Sequence, residues 1–243
     1  MITNKKIICI SDLHIPYTSQ YFIPFADYAC GADKVIFNGD TFDLLKCSVK
    51  EIKNCYMGQE LIKAVKKIVK KTEAIFIVGN HDEELDEKLP KLLDMEIITY
   101  PFYRMGRIGF VHGYQFDPLC KHWNWRLLSK FAPWFFNPPS EWKLRDREKW
   151  KEKIGQIYAE AFSFLENVAT WCRILVIGHT HYPSVHKLET GQKLADCGDW
   201  LDSRSWIEIE RGKVEVFQFL IGRLKTLMIS YLLNYFMEFQ FLI

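Results

Sequence analysis

The stretch ICISDLH, residues 8–14, joins an apolar run to two side chains that can bind metal ions. Its first half is rich in Ile, which is typical of a buried strand, and its second half carries Asp12 and His14. The same arrangement recurs in four further stretches: VIFNGDTFD (35–43), IFIVGNHD (75–82), GFVHG (109–113) and LVIGHTH (175–181). Each stretch predicts a buried strand that ends in Gly, Asp, Asn or His.

The polar residues at these five strand ends are predicted to form one metal centre. In open α/β sheets, ligands collect beyond the carboxyl ends of the strands, so the five ends are expected to meet. The predicted ligands are Asp12, His14, Asp40, Asn80, His112, His179 and His181. One Asp-x-His after a strand is usually only a turn, but five such ends in series favour a site. The set suffices for two ions if Asp40, which follows Gly39, bridges them.

The ligand types indicate the metal and the reaction. Asp, Asn and His without Cys favour a borderline-to-hard divalent ion such as Mn²⁺, Zn²⁺ or Fe²⁺. Two ions about 3.5–4 Å apart suit in-line displacement at phosphorus by a metal-bound hydroxide. His81 directly follows Asn80, so the two cannot easily face the same ion, and His81 is predicted to protonate the leaving oxygen or to steady its developing charge.

Two acidic residues near these ligands are open to more than one interpretation. Asp43 is predicted to accept a hydrogen bond from His81 and fix its tautomer, and a helix N-cap is the alternative. Asp82 is predicted to begin a helix rather than to act in catalysis. His81 and Asp43 are therefore the predicted catalytic pair.

Length and composition favour one globular domain over residues 1–243. A chain of 243 residues can build a full α/β core, and 49% apolar with 26% charged residues is typical of a folded protein. The net charge of +2 is too small to indicate nucleic-acid binding by itself. The seven cysteines include no CxxC pair, and the N-terminus enters a strand without a signal peptide. We therefore predict a cytoplasmic protein.

Hydrophobic periodicity predicts strands that alternate with helices. The predicted strands are 5–11, 34–38, 74–80, 96–100, 104–113, 173–179 and 192–200, with a hairpin over 203–219 that turns at Arg211-Gly212. The predicted helices are 21–30, 58–71 and 82–94. This order suggests two mixed sheets packed together, with helices outside.

Residues 114–172 interrupt the alternation and predict a helical insert that forms a lid beside the site. Five of the eight Trp lie within 121–153 among basic residues, and Trp123, Arg126 and Arg145 are predicted to contact substrate. Such a composition suits a lipid phosphate at a membrane interface. Single-stranded nucleic acid and a simple packed helical pair are alternatives.

The tail, residues 222–243, is strongly apolar with a narrow polar stripe. It predicts a C-terminal helix packed on the domain, and a membrane-surface helix with peripheral membrane contact is the alternative. Its apolar run is shorter than the about 20 residues that a transmembrane helix needs.

The motifs D-x-H, GD-x-x-D, GNHD, HG and GHTH, in this order over about residues 7–200, resemble those of the calcineurin-like metallophosphoesterases. The resemblance implies an α/β (α+β) fold, a four-layer αββα sandwich with a dinuclear site and, in this chain, a helical lid insertion. It implies that one ion is held by Asp12, His14, Asp40 and His181. The other ion is then held by Asp40, Asn80, His112 and His179.

Within that superfamily the chain is most similar to the UDP-2,3-diacylglucosamine diphosphatases. SDLH, GDTFDLL, the HG-x-x-FD of residues 112–117, GHTHYP and the CGDW of residues 197–200 carry this likeness. It implies cleavage of a lipid-linked nucleotide sugar into UMP and a lipid phosphate, usually with Mn²⁺ at a membrane surface. The chain has His81 where those enzymes tend to have Arg, and Tyr114 where they have Asp.

Two other functions stay open at this point. A metal-dependent phosphodiesterase or nuclease, acting on nucleic acid or on small phosphodiesters, is the main alternative, because GDTFD and GNHD also occur in repair exonucleases. A non-catalytic metal-binding scaffold is the least favoured reading, because none of the ligands is missing. The substrate class that all enzymatic readings share is a phosphorylated small molecule or lipid.

Overall fold

The computed structural model describes residues 5–120, 147–220 and 223–225. Within them the chain forms two β-sheets. The strands of the first sheet are β1 (Ile7–Ile10), β2 (Lys34–Asn38), β3 (Glu73–Ile77), β4 (Thr99–Tyr100), β10 (Ser205–Glu210), β11 (Lys213–Leu220) and β12 (Arg223–Lys225). Those of the second are β5 (Tyr103–Met105), β6 (Ile108–Phe110), β7 (Ile174–Ile177), β8 (Ser184–Lys187) and β9 (Lys193–Asp196).

The strand order makes the parallel strands of each sheet neighbours. The described part of the first sheet runs β12-β11-β10-β1-β2-β3-β4, with β1, β2, β3 and β4 mutually parallel. The second runs β5-β6-β7-β9-β8, with β6, β7 and β9 parallel. The carboxyl ends of adjacent parallel strands lie at one edge, so the loops that follow them are neighbours.

Helices follow the strands of the first sheet and precede β7 in the second. They are α1 (Phe22–Ala29), α2 (Val49–Asn54), α3 (Tyr56–Lys71), α4 (Leu85–Leu93) and α5 (Arg147–Asn167), with a 3₁₀ turn at Tyr114–Phe116. In α3 the apolar residues recur at helical spacing, and Leu61, Val65 and Ile68 are buried while the lysines face outward. A capping box formed by Ser48 and Glu51 begins α2.

The helices and the two sheets form four layers, and a hydrophobic cluster lies between each pair of adjacent layers. Alternate residues of β1 face opposite sides, so Ile8 and Ile10 pack towards α1, α3 and α4 while Ile7 and Cys9 pack towards the second sheet. A third cluster joins the second sheet to α5 through residues such as Leu175. The result is the predicted helix–sheet–sheet–helix sandwich, and the fold prediction is confirmed.

Most predicted elements are present, with ends that differ by a few residues. The hairpin is confirmed, with its turn at Arg211-Gly212 between β10 and β11. The strand predicted over 104–113 is instead two antiparallel strands, β5 and β6, with a turn at Gly106 and Arg107. The short helix α2 and the edge strand β8 were not predicted. Each is too short for its periodicity to be read, and β8 forms by antiparallel pairing with β9.

The predicted insert is described only at its two ends. The 3₁₀ turn at Tyr114–Phe116 begins it, and the 21-residue helix α5 completes it and packs on the second sheet. The helical interpretation is therefore correct for 147–167. The predicted substrate contacts Trp123, Arg126 and Arg145 lie outside the described residues.

The predicted C-terminal helix over 222–243 is wrong at its beginning. Residues Arg223–Lys225 form strand β12, which pairs antiparallel with β11 so that Leu224 lies opposite Phe219. Spacing of apolar residues alone cannot distinguish a short strand from a helix, and here the hydrogen bonds that the edge of β11 offers decide. Residues 226–243 lie outside the described residues. Among the helices that the structure describes, none has the length and apolar character needed to cross a membrane.

The layer between the sheets is expected to dominate stability. Ile36 of β2 is fully buried in that layer, so Ile36→Ala should lower the free energy of unfolding by about 2–5 kcal/mol. Ile98→Ala, at a side chain that is 72% exposed, is the matched control and should change it by less than about 0.5 kcal/mol. Urea unfolding of both variants measures the difference, and equal losses would contradict the proposed packing of this layer.

Candidate metal centre

The loops after β1, β2, β3, β6 and β7 bring the predicted ligands together. Backbone hydrogen bonds join these loops to one another. The His14 amide donates to the Asp40 carbonyl oxygen over 2.8 Å, and the Gly178 amide donates to the His112 carbonyl oxygen over 2.7 Å. The first bond lies within one sheet edge and the second within the other. The His179 amide donates to Asp12 Oδ2 over 2.9 Å, and this bond joins the two edges into one polar site.

Five of the predicted ligands have a left-handed backbone conformation, which is unusual for residues other than glycine. Their φ angles are 54° for Asp12, 49° for His14, 50° for Asp40, 68° for His179 and 54° for His181. A residue in this region costs free energy unless the surroundings hold it there, and such residues cluster at functional sites. The backbone therefore turns sharply at each strand end, where the ligands lie.

The first group of ligand atoms consists of Asp12, His14 and His181. The Asp12 Oδ1 atom lies 3.1 Å from His181 Nε2 and 3.7 Å from His14 Nε2. Ligands that bind one ion at about 2.0–2.2 Å are separated by about 3 Å or slightly more. The spacing of these three atoms is therefore that of a metal site.

The second group consists of Asp12, Asp40 and His112, whose ligand atoms all lie within 4.8 Å of one another. His112 Nε2 lies 3.2 Å from Asp40 Oδ2 and 3.9 Å from Asp12 Oδ1. Asp40 Oδ2 is also 3.7 Å from His14 Nε2, so it lies between the two groups. The structure thus adds Asp12 to both groups, whereas the sequence assigned only Asp40 to both.

His179 is held differently from the other histidines. Its Nε2 atom lies 2.9 Å from Asp117 Oδ2, and its ligand atoms group with Asp117 and Cys120. Its ring centroid lies 5.5 Å from that of His112, so it borders the second group.

Each metal-site carboxylate has one oxygen fixed by hydrogen bonds and the other directed at histidines. Asp12 Oδ2 accepts from the Ser11 hydroxyl at 2.6 Å and from the His179 amide at 2.9 Å. Asp40 Oδ1 accepts from the His81 amide at 2.8 Å. The ligand oxygens are therefore oriented before any ion binds.

Three of the predicted ligand histidines have partners on the ring nitrogen that faces away from Asp12 and Asp40. His112 Nδ1 donates to the Asn38 carbonyl oxygen at 2.8 Å. His14 Nδ1 lies 3.7 Å from Asp43 Oδ2, and His181 Nδ1 lies 3.5 Å from Asp199 Oδ2. Such partners fix the tautomer that presents Nε2 to an ion.

The predicted contact between His81 and Asp43 is present in the structure. His81 Nδ1 donates to Asp43 Oδ1 over 3.0 Å, and the buried Asp43 also lies near His14. Asp43 is not the N-cap of α2, since Ser48 has that position. This arrangement leaves His81 Nε2 as the ring nitrogen that can meet a substrate oxygen.

Asp82 was predicted to begin a helix, and that interpretation is wrong. The helix α4 starts at Leu85 with Glu84 at the N-cap. The Asp82 carboxylate is fully buried and accepts hydrogen bonds from four backbone amides, those of Gly79, Asp40, Thr41 and Phe42. It therefore holds the loop that carries Asp40, which no local sequence pattern indicates.

Two further carboxylates were missed as partners of ligands. Asp117 belongs to the HG-x-x-FD motif and contacts His179, and Asp199 belongs to CGDW and contacts His181. Both motifs were recognised in the sequence, but only the structure shows which histidine each carboxylate contacts.

The electrostatics of the site follow from the burial of several charges together. Burial by itself would raise the pKa of Asp40, but the imidazoles of His112 and His81 outweigh it and hold that pKa below its usual range. Burial lowers the pKa of His112, yet the charges of Asp40 and Asp12 raise it to about 9. For Asp82, burial and the charge of Asp40 raise the pKa to about 7.

The residues present fit a metal centre. Four buried ligand atoms make no hydrogen bond within the part of the chain that the structure describes: Asp12 Oδ1, His14 Nε2, Asn80 Oδ1 and His112 Nε2. Buried polar atoms without partners are costly, and binding to a cation would satisfy all four. Oxygen and imidazole donors match divalent ions such as Mn²⁺, Zn²⁺ and Fe²⁺.

Comparison with known proteins agrees with the fold. Residues 5–183 match the sequence profile of the calcineurin-like phosphoesterases. The chain is similar to the UDP-2,3-diacylglucosamine hydrolase of Shewanella halifaxensis, with 26% identity over 90% of the chain and 100% of that protein. The enzyme of that name from Histophilus somni is 24% identical over 89% and 100%.

Among solved structures, Vacuolar Protein Sorting 29 from Cryptosporidium parvum has the same fold. The TM-score is 0.50 with 17% identity, over 91% of this chain and 94% of that one. The profile covers well over half of the chain, so the chain belongs to the calcineurin-like phosphoesterase family. It is a metal-binding hydrolase that acts on phosphoester bonds.

Metal binding is expected to release protons at pH 7. A histidine must be neutral to bind an ion, and His112 without metal keeps its proton up to a pKa of about 9. The affinity for Mn²⁺ should therefore rise between pH 7 and pH 9, by up to about tenfold per pH unit for each proton released. Calorimetric titration of metal-free protein, in buffers of different ionisation enthalpy, measures this release. A binding enthalpy that does not depend on the buffer would contradict it.

Proposed function

We propose that the chain hydrolyses the diphosphate of a lipid-linked nucleotide sugar of the UDP-2,3-diacylglucosamine type, releasing UMP and a lipid phosphate. The observation that carries this proposal is the extent of the match to the UDP-2,3-diacylglucosamine hydrolases. The match to the Shewanella halifaxensis enzyme covers the full length of that enzyme and 90% of this chain. The match to the general family profile, in contrast, ends at residue 183. CGDW, whose Asp199 contacts His181, lies beyond that point.

The proposed cofactor is a pair of divalent ions, with Mn²⁺ preferred. Asp12, His14, Asp40 and His181 would hold the first ion. Asp40, Asn80, His112 and His179 would hold the second, supported by the free Asn80 oxygen and the 3.2 Å distance between His112 and Asp40. Bound there, the ions would supply a water of lowered pKa and positive charge beside the phosphorus atom.

His81 is proposed to protonate the leaving oxygen or to steady its developing charge. Its side chain is 16% exposed, so one ring nitrogen can reach a bound substrate while the other is held by Asp43. The Asp43 carboxylate fixes the ring orientation and the tautomer of His81. Lys46 Nζ lies 3.7 Å from the same carboxylate and offsets part of its negative charge.

The lipid end of the substrate is proposed to lie against the insert. Its contacts Trp123, Arg126 and Arg145 remain predictions, based on the aromatic and basic composition of that segment. We also propose a cytoplasmic location with peripheral membrane contact. The seven cysteines are all free, which is consistent with a reducing compartment.

Two substitutions should separate metal binding from proton transfer. His81→Gln should lower kcat by about 10²–10⁴-fold and leave metal content unchanged, because His81 is assigned to the leaving group and not to an ion. Asp40→Ala should lose both ions, because its carboxylate lies between the two groups. Steady-state kinetics and elemental analysis give both quantities. If His81→Gln lost metal in proportion to its activity, the assigned role would be refuted.

The substrate is tested by release of UMP from UDP-2,3-diacylglucosamine in the presence of Mn²⁺. Bis-p-nitrophenyl phosphate and single-stranded DNA are assayed beside it, and Asp40→Ala measures contaminating activity. We expect turnover of the lipid substrate, loss of that turnover with EDTA, and slower or no cleavage of the other two. Cleavage of the ester or the DNA without the lipid would keep the metal centre but make the protein a phosphodiesterase.

A further inference from the structure

The Asp117 carboxylate lies behind the loop that carries His179 and His181. It follows the 3₁₀ turn after β6, and its side chain is only 1% exposed. Its Oδ1 atom accepts a hydrogen bond from the Leu119 amide at 2.9 Å. Its Oδ2 atom lies 2.9 Å from His179 Nε2 and 2.9 Å from the Lys153 Nζ of α5. Both oxygens therefore have fixed partners.

This contact decides which nitrogen of His179 can bind an ion. Asp117 can only accept when ionised, so His179 Nε2 carries the proton and donates it. The lone pair of the neutral ring is then on Nδ1. Asp117 thus does for His179 what the Asn38 carbonyl does for His112, with the two ring nitrogens exchanged.

The same cluster is not an additional metal site. Asp117, Cys120 and His179 place ligand atoms within 4.8 Å of one another, which is close enough for an ion. However, the ammonium group of Lys153 already lies 2.9 Å from the Asp117 oxygen that would have to bind it. Two cations on one buried oxygen repel each other, so Lys153 occupies the place of an ion.

The helix α5 holds the His179–His181 loop at a second point. The buried Tyr158 hydroxyl lies 3.2 Å from Asp196 Oδ2, and the Thr180 hydroxyl donates to that same oxygen at 2.6 Å. Thr180 lies between His179 and His181 in the sequence. Lys153 and Tyr158 therefore connect one helix to both sides of the loop through two buried carboxylates.

We propose that Asp117 is a positioning residue for His179. Because Asp117 also pairs with Lys153, we propose that binding of the second ion depends on the position of α5 against the second sheet. This inference rests on the second ion of the proposed function. The helix α5 directly follows the segment that is predicted to contact the lipid. The connection therefore runs from the end of the insert, through two side chains, to a metal ligand.

The substitution Asp117→Leu tests the proposal. Lys153 and His179 contact the same oxygen of Asp117, so removal of the carboxylate leaves His179 Nε2 without its acceptor. In metal-free protein, ¹⁵N NMR of the His179 ring should therefore show a mixture of the Nδ1–H and Nε2–H tautomers in place of Nε2–H alone, whereas Asp117→Asn, whose amide oxygen can still accept from Nε2, should keep Nε2–H. In Asp117→Leu, affinity for the second Mn²⁺ should fall by about 10–100-fold, with the first unchanged.

Four further variants distinguish this role from a general structural one. Lys153→Met should weaken binding of the second ion by about two- to fivefold, because the pair is partly exposed, and Lys153→Arg should restore it. Unchanged binding in Lys153→Met would overturn the dependence on α5. Lys151→Met, on an exposed residue of the same helix, should change nothing. Cys120→Ser should also leave both ions in place. If Cys120→Ser weakened metal binding as much as Asp117→Leu, Cys120 would be a ligand and the proposal would be overturned.

The two readouts separate this inference from the proposed function. An unchanged His179 tautomer in Asp117→Leu, or equal binding of both ions by that variant and the unsubstituted protein, would overturn the positioning role. If the unsubstituted protein bound only one ion, the dinuclear proposal would fail. The tautomer of metal-free His179 would still decide whether Asp117 controls the ring.

Discussion

Two carboxylates, Asp12 and Asp40, are buried side by side with ligand atoms no more than 4.8 Å apart, and much of the structure serves to hold them there. Like charges at this distance in a buried site repel each other strongly. In the protein without metal, protonated imidazoles such as that of His112 compensate the repulsion. A divalent ion would replace those protons, so the ligand cluster exists in a form that is ready to exchange protons for metal.

The backbone around these carboxylates is arranged at the expense of local stability. Five ligands adopt positive φ, and Gly39 approaches His112 so closely that any β-carbon would overlap the imidazole ring. Buried acceptors hold this conformation, above all Asp82, which receives four backbone amides. Such strain persists only where the surrounding packing determines it, and here the two sheets and their shared hydrophobic layer provide that packing.

The histidines of the site are oriented by a consistent set of partners. Each of these histidines has a partner at the ring nitrogen that a metal would not use. The partners are Asp43 for His14, Asp199 for His181, Asp117 for His179 and the Asn38 carbonyl for His112. Asp43 contacts both His14 and His81, so one carboxylate serves a proposed ligand and the proposed acid. Asp117 instead links its histidine to α5 through Lys153. These partners come from every part of the fold, which explains why the ligands alone do not define the site.

The sequence by itself predicted most of the strands, two mixed sheets packed together with helices outside, and the polar residues at the strand ends, because buried strands and candidate metal ligands leave local patterns of residue type and spacing. Contacts between distant residues leave no such pattern. Only the tertiary structure decided that Asp82 supports the Asp40 loop, that Asp117 contacts His179, and that Arg223–Lys225 pair with β11. Each of these depends on which groups become buried neighbours, and that is settled by the packing of the two sheets and not by the residues adjacent in the chain.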